Sequence, residues 1–306
     1  MIKKYTLKDL TWIDVLKPTK EEVLILMEEY NIHPNVANNL LTETFKPLVD
    51  LHDNFIYLIL HFPSLKHSHN NEPNQEIDFI IGKDFIITSR YEEIDSLHKF
   101  AKEFETIAIL EKDKNNEIQN SSYIFMLMMK KIYASIGDEL DLIENSLEQA
   151  EDNIFKGKER QMVKKLSFIS RDLLNTKQAT NTHKETLESF AVAGKDFFLD
   201  DFKIIIEEIM NDYRKIRHNI EVNRDSLIEL RDTNNSLLST KQNETMKVLT
   251  IMAFVTFPLS LLASVFGMNT ENTPIIGNIY DFWVIIGMMA FLTAIFFLFF
   301  KYKKWL

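Results

Sequence analysis

Two stretches near the C-terminal end decide the fold: Val248 to Phe266 (VLTIMAFVTFPLSLLASVF) and Phe282 to Phe300 (FWVIIGMMAFLTAIFFLFF). Each runs nineteen residues without a formal charge. A helix rises about 1.5 Å per residue, so roughly 20 apolar residues cross a hydrocarbon core of about 30 Å. The sequence therefore predicts a two-pass membrane protein with a large charged part ahead of the hairpin.

Orientation follows from the lysines. Lys241 and Lys247 precede the first span, and Lys301, Lys303 and Lys304 follow the second. The intervening loop from Gly267 to Asp281 carries no Lys or Arg. The positive-inside rule then puts both termini in the cytoplasm of a cell-membrane protein, with the short loop outside. Tyr280, Phe282 and Trp283 on one side and Tyr302 and Trp305 on the other occupy the places of interfacial anchors.

Composition bounds the remainder. A net charge of −10, with 26% charged residues, argues against nucleic acid as a partner. Cysteine is absent, which excludes disulfides and thiolate metal sites. Met1 to Val15 lacks the apolar run of a signal peptide. No Gly-x-x-x-x-Gly-Lys-Ser/Thr loop, nucleophile and base arrangement or Gly-rich cofactor loop stands out, so neither an enzyme nor a prosthetic group is expected.

Five of seven prolines, Pro18, Pro34, Pro47, Pro63 and Pro73, fall in the first quarter, and none lies between Asn74 and Phe257. Short elements come first and long helices follow. Pro18-Thr19-Lys20-Glu21-Glu22 opens an amphipathic helix to Tyr30. Asn54–Phe62, Glu76–Ile81 and Phe85–Ser89 read as strands, the last two joined at Gly82-Lys83-Asp84. The expected organisation is a cytoplasmic mixed α/β domain over 1–120, a long antiparallel helical pair over 121–195, a stalk helix over 196–247 and a two-helix membrane domain over 248–306. The pair is Ser122–Phe155 and Lys158–Ala193, interrupted at Gly157. The stalk is expected to run unbroken from Asp196 into the first span.

In the stalk Ile206, Ile209, Tyr213, Ile216, Ile220, Leu227, Leu230 and Leu237 follow alternating three- and four-residue steps, with Asn223 and Asn234 in the gaps. That is a 3.5-residue seam for side-by-side helices. Asparagines in such a seam fix register or oligomer state, or else face water in a channel or groove. The same alternating steps recur through Met246, Thr250, Ala253, Phe257, Ser260 and Ser264, a small, polar or Met/Phe stripe. Val248, Ile251, Phe254, Leu261 and Leu262 lie on other faces. A polar stripe in a spanning helix points at other helices or at water. Two spans cannot enclose a path, so a channel requires a closed ring of copies. Gly287, Ala290 and Ala294 in the second span permit close approach of a neighbour.

Asn243-Glu244-Thr245-Met246-Lys247-Val248-Leu249-Thr250, Pro258, Phe266-Gly267-Met268-Asn269 and Lys303-Lys304-Trp305-Leu306 together resemble the CorA family of divalent-cation channels, and Asn31-Ile32-His33-Pro34 matches a stretch of that family's soluble domain. The resemblance implies a homopentamer in a lipid bilayer that conducts Mg²⁺, with Co²⁺ or Ni²⁺ as secondary ions. It implies a selectivity filter of Gly267, Met268 and Asn269, with Asn269 as the outer ring. Asn243, Met246, Leu249, Phe257 and Ser260 match pore-lining positions, and Thr250 and Ser264 share their stripe. Mg²⁺ dehydrates reluctantly, so a ring of amide oxygens can hold the hydrated ion and still release it. Glu271 and Asp281 would raise the local cation concentration outside. Met246, Leu249 and Phe257 would close the path by dewetting.

Three departures matter. Phe266 stands where the family usually has Tyr, and the loop Thr270-Glu271-Asn272-Thr273-Pro274-Ile275 lacks the acid that often follows the proline. Asn38 and Asn39 stand where well-studied members carry a Glu-Asp pair that senses cytoplasmic Mg²⁺. Glu207 and Glu208 remain as the matching acids for a regulatory metal, and the resemblance then implies weakened feedback or the use of Asp138, Glu139 and Asp141. Two alternatives stay open: a Zn²⁺ transporter of the same superfamily, against which Met268 leans, and a non-conducting membrane-anchored helical scaffold or sensor. His61, His67 and His69 crowd a strand end and polar loop, where a His-x-His pair could take Zn²⁺ or Ni²⁺, but the reading is an exposed loop. His33 reads as structural, beside Pro34.

Overall fold

A computed structural model describes residues 1–44, 46–64, 74–110, 120–198, 202–268, 279–303 and 305. The chain forms two compact units, Met1–Arg231 and Asp232–Leu306.

The first unit begins with β1 (Ile2–Leu7) and β2 (Leu10–Leu16), then α1 (Lys20–Glu29), α2 (Pro34–Asn39), β3 (Leu48–Leu51), β4 (Ile56–Pro63), β5 (Asn74–Ile81), β6 (Phe85–Arg90) and α3 (Asp95–Leu110). The six strands form one sheet in the order β1-β2-β6-β5-β4-β3. Only the β2 and β6 pairing is parallel. The three strands and the hairpin expected from the Ile- and Phe-rich runs are present within two residues of their expected ends. The sheet is wider than those runs indicate, with β1, β2 and β3 added to them. β1 is an edge strand with three exposed residues, Lys3, Lys4 and Thr6. β2 carries Asp14, which is buried because Arg90 clamps it through Nη2 at 2.7 Å and Nε at 3.1 Å.

Strand alternation sends successive side chains to opposite faces. On one face Ile13, Val15, Tyr57, Ile59, Ile80 and Ile87 pack with Val23 and Leu26 of α1 and Val36 and Ala37 of α2. Helix α1 starts in a capping box, with Glu22 N–H on Thr19 Oγ1 and Thr19 N–H on Glu22 Oε2. Helix α2 is capped by His33, whose Nδ1 accepts from Asn35 N–H at 3.2 Å, so that histidine is structural as expected. On the other face Trp12 meets Phe100 and Phe104 of α3, and Phe79 meets Phe125 edge-on.

Four helices follow: α4 (Ser121–Phe155), α5 (Glu159–Thr180), α6 (His183–Gly194) and α7 (Phe202–Phe266). Gly157, at φ 85°, makes the left-handed turn between α4 and α5. The helix expected to continue from Lys158 to Ala193 is broken at Asn181-Thr182. Thr176 and Thr180 turn their hydroxyls back onto carbonyls four residues earlier, and His183 is pulled inward to bond Tyr133 Oη at 2.8 Å and the His61 carbonyl at 2.7 Å. The stalk also begins later than Asp196. Lys195–Phe197 form a turn on Gly194, and Phe202 packs on Phe190 and Phe198.

The expected seam is real within the first unit. Ile206, Ile209, Tyr213, Ile216, Ile220 and Leu227 are buried, and each large aliphatic so placed contributes about 1.5–3 kcal/mol. Asn223 does not face a channel or groove: its Nδ2 donates to the Leu140 carbonyl of α4 at 3.0 Å, which ties the register of α7 to its own chain.

The second unit holds the remainder of α7 and helix α8 (Asp281–Tyr302). Both are long and apolar enough to cross a membrane. Pro258 lies inside α7 without ending it.

Candidate ion pathway along helix α7

At 100° per residue, Asn243, Met246, Leu249, Thr250, Ala253, Phe257, Ser260 and Ser264 fall within about 120° of the circumference of α7. All but Thr250 and Ala253 are exposed, Phe257 at 74% and Met246 at 61%. The half-buried residues Ile251, Val255, Pro258 and Leu262 lie on a face about 150° away. Helix α8 meets α7 at Phe254, on the border between the two faces: the Phe254 ring meets Phe300 edge-on at 6.5 Å, and Trp305 stacks on Phe300 at 6.0 Å. Among the described residues nothing covers most of the small and polar stripe. Thr250 Oγ1 satisfies itself on the Met246 carbonyl at 2.8 Å, which keeps a hydroxyl oxygen available on an apolar helix.

The same division holds on α8. Ile285, Met289, Leu292, Phe296 and Phe300 form one half-buried or buried row, whereas Gly287, Ala290 and Ala294 are exposed on the opposite side. A Cβ added to Gly287 would meet nothing within 4 Å among the described residues. Large side chains therefore mediate the contact within one chain, and the small residues face outward.

Helix α7 ends at Phe266. Gly267 N–H closes on the Ala263 carbonyl at 2.9 Å, and Met268 N–H on that of Val265 at 3.4 Å. A Cβ on Gly267 would sit 2.9 Å from the Ala263 oxygen, a backbone atom that cannot move aside cheaply. Glycine is thus required for this close turn, and Met268 follows it, 57% exposed. Asn269 and Glu271 lie outside the described residues. Asp281 opens the first turn of α8, where a carboxylate complements the helix dipole.

The expected regulatory acids lie in the first unit. Glu208 forms an ion pair with Lys130 of α4, and Glu207 lies 4.0 Å from Lys203 one turn earlier. Asn38 and Asn39 end α2, and the Asn39 carbonyl accepts from Tyr91 Oη at 3.3 Å. Asp138 and Asp141 are exposed on α4. His61 is not in an exposed loop. It lies on β4, half-buried, with Nε2 at 2.6 Å from the Thr44 carbonyl and 3.2 Å from Glu76 Oε2. Burial alone would lower its pKa, but Glu76 and Thr44 together hold it raised. His67 and His69 lie outside the described residues. Among the described residues no group of three or more His, Cys, Asp or Glu side chains is placed to hold a metal ion.

Sequence reading does not single out Lys130, because a lysine 78 positions from Glu208 gives no local signal. The buried acids Glu76 and Asp78 leave a trace, two charges in the otherwise apolar run of β5.

Comparison with known proteins agrees with this architecture. The cobalt/magnesium transport protein CorA of Thermotoga maritima is 25% identical over 302 residues, covering 97% of this chain and 83% of the relative. The protein of that description from Methanocaldococcus jannaschii is 23% identical, over 97% of this chain and 92% of its own. The complete structure of the CorA magnesium transporter from M. jannaschii superposes with a TM-score of 0.83 at 20% identity, covering 99% of this chain and 94% of that one. The family described as CorA-like Mg²⁺ transporter protein matches residues 8–303, and the chain belongs to it.

Proposed function

We propose that the chain forms a homopentameric channel in the cell membrane that admits Mg²⁺, and Co²⁺ or Ni²⁺ as secondary ions, driven by the membrane potential. The observation that carries this reading is the largely exposed stripe on α7 from Asn243 to Ser264, lying about 150° from the half-buried face and leading to the Gly267 turn. Copies arranged around that stripe would line a path with Met246, Leu249, Thr250, Phe257, Ser260 and Ser264, and the small row of α8 would meet a neighbour. Asn269 would present its amide oxygen to the hydrated ion at the outer mouth, supported by Gly267 and Met268. Family membership and the names of the relatives favour Mg²⁺ and Co²⁺ over the zinc alternative, and a transporter family disfavours the inert scaffold.

The lysine distribution supports cytoplasmic termini, with Glu271 and Asp281 outside. A dication entering an inside-negative cell then gains about 4.6 kcal/mol per 100 mV, twice the value for one charge. Glu207 and Glu208 are the regulatory acids of this reading, and Lys130 must release Glu208 before it takes a cation.

The test is purified protein in liposomes, with Mg²⁺ and Zn²⁺ uptake measured under an inside-negative potential beside Asn269→Ala. Potential-driven Mg²⁺ uptake that the substitution abolishes is the expected result. Mg²⁺ uptake unchanged in Asn269→Ala removes the filter from the proposal, and no uptake by a verified oligomer removes the channel.

A further inference from the structure

On the face of the sheet under α1 and α2, β5 turns two carboxyl groups inward, Glu76 and Asp78. Asp78 is fully buried and Glu76 is 6% exposed. Their outer partners are clear. Glu76 Oε2 accepts from Thr44 N–H at 2.7 Å and contacts His61 Nε2 at 3.2 Å, and Asp78 Oδ2 accepts from Tyr57 Oη at 3.2 Å. Among the described residues the other oxygen of each, Glu76 Oε1 and Asp78 Oδ1, is buried and has no donor. Ser89 Oγ, directly across from Asp78 on β6, is likewise buried without a partner. Two charged carboxylates with bare oxygens two residues apart on one strand face would repel each other where water cannot screen them. One proton between them turns one acid into a donor and supplies the missing hydrogen bond.

We propose that Glu76 and Asp78 form a proton-binding site whose single shared proton holds the segment after α2 in place, and whose loss in alkali loosens that segment. The mechanical link is short. Glu76 grips Thr44 through its N–H, and His61 bonds the Thr44 carbonyl at 2.6 Å. Tyr91 holds the Asn39 carbonyl from the end of β6. The proton site thus sits beneath the stretch that carries Asn38 and Asn39.

The surrounding groups act on Asp78 in both directions, and burial dominates. Burial first, and then the Glu76 charge, push the Asp78 carboxyl well above the ordinary range, while the Tyr57 hydrogen bond acts the other way. Burial also raises Tyr57 and Tyr91, and the two acids add to it. From the loop, Glu43 adds a further negative field on Tyr91 and His61. From β4, His61 donates toward Glu76. Arg90, the next residue on β6, points to the opposite face, where it is paired with Asp14. A carboxyl whose folded pKa is raised stabilises the fold below its unfolded value, and that stability is lost as pH rises through the folded value.

The experiment is infrared spectroscopy of the full-length chain in detergent near neutral pH, on the wild type, Asp78→Asn and an exposed control, Asp50→Asn. The wild type and the control should show a protonated-carboxyl band that exchanges with deuterium, and Asp78→Asn should lack it. Hydrogen exchange of residues 40–44 supplies the second readout. As pH is raised from neutral into the alkaline range wild-type protection should fall about tenfold beyond the intrinsic pH effect, and the variant, whose amide stands in for the proton, should stay protected. Should Asp78→Asn not fold, Glu76→Gln replaces it and must likewise remove or shift the band. No such band in the wild type, or a band unchanged in these variants, overturns the site. Equal loss of protection in wild type and variant overturns the link to the 40–44 segment.

Discussion

The hydrogen bond from Asn223 to the Leu140 carbonyl gives a prediction with a magnitude. Asn223 is 4% exposed in the seam between α7 and α4, and its Nδ2 lies 3.0 Å from the acceptor. Truncation to alanine removes that bond, a net loss of about 1 kcal/mol. The acceptor sits mid-helix, where the N–H four residues on is its ordinary partner, so no bare carbonyl is left to enlarge the cost. Loss of the packed amide atoms adds about 1 kcal/mol for the void. The sum, about 2 kcal/mol, lies in the unit Met1–Arg231, and a domain of about that size shifts in Tm by about 2–4 °C per kcal/mol. Thermal melts of the full chain in detergent, followed by circular dichroism, should therefore show Asn223→Ala lower by about 4–8 °C. Asp225→Ala, exposed two positions along the same helix, should stay within about 1 °C. Asn223→Ala indistinguishable from Asp225→Ala would refute the reasoning that this amide ties α7 to α4.

Three further outcomes follow from the geometry. Gly267→Ala places a methyl 2.9 Å from the Ala263 oxygen, so the turn must open, and uptake in liposomes should fall at least about tenfold while Gly287→Ala, with open space around it, keeps its fold. Lys130→Ala frees Glu208, and the cytoplasmic Mg²⁺ concentration that closes the channel should fall; an unchanged closing concentration removes Glu208 from regulation. His183 is fully buried, and burial depresses its pKa to about 4, with the His61 carbonyl bond opposing. Its contribution to stability is complete above the unfolded value of about 6.5 and is lost as pH falls toward 4, on the order of 3 kcal/mol in all. Melts from about pH 7 to about pH 4.5 should steepen in wild type relative to His183→Gln, and parallel curves would contradict this.

The parts of the fold legible in the sequence are those whose signal is local and repetitive. Nineteen uncharged residues mark a span, the three-and-four step marks α7, and Ile-rich runs ending at Gly82 mark a hairpin. What the sequence conceals depends on distant partners. Asp14 places a charge inside the apolar run of β2, and its partner Arg90 is 76 residues away. The break at Asn181-Thr182 is set by bonds from His183 to Tyr133 and His61, and no helix-breaking Gly or Pro announces it. Asn223 is ambiguous as a seam residue because its partner is a backbone carbonyl, which every residue possesses. For the candidate pathway the stripe was readable from spacing alone, whereas the pairing of Glu208 with Lys130 and the closeness of Gly267 to Ala263 required coordinates.

The central claim is that the stripe on α7 faces water among copies of the chain while the face about 150° away does not. Absence of cysteine allows a direct test, since single cysteines can be introduced without background. Proteoliposomes bearing Ala253→Cys, Ser260→Cys or Ser264→Cys, or instead Ile251→Cys, Val255→Cys or Leu262→Cys, would be treated with a charged, water-soluble thiol reagent while Mg²⁺ uptake is followed. The account predicts rapid modification and block of uptake at 253, 260 and 264, and neither at 251, 255 and 262. Modification at 251, 255 and 262 with 253, 260 and 264 protected would contradict it.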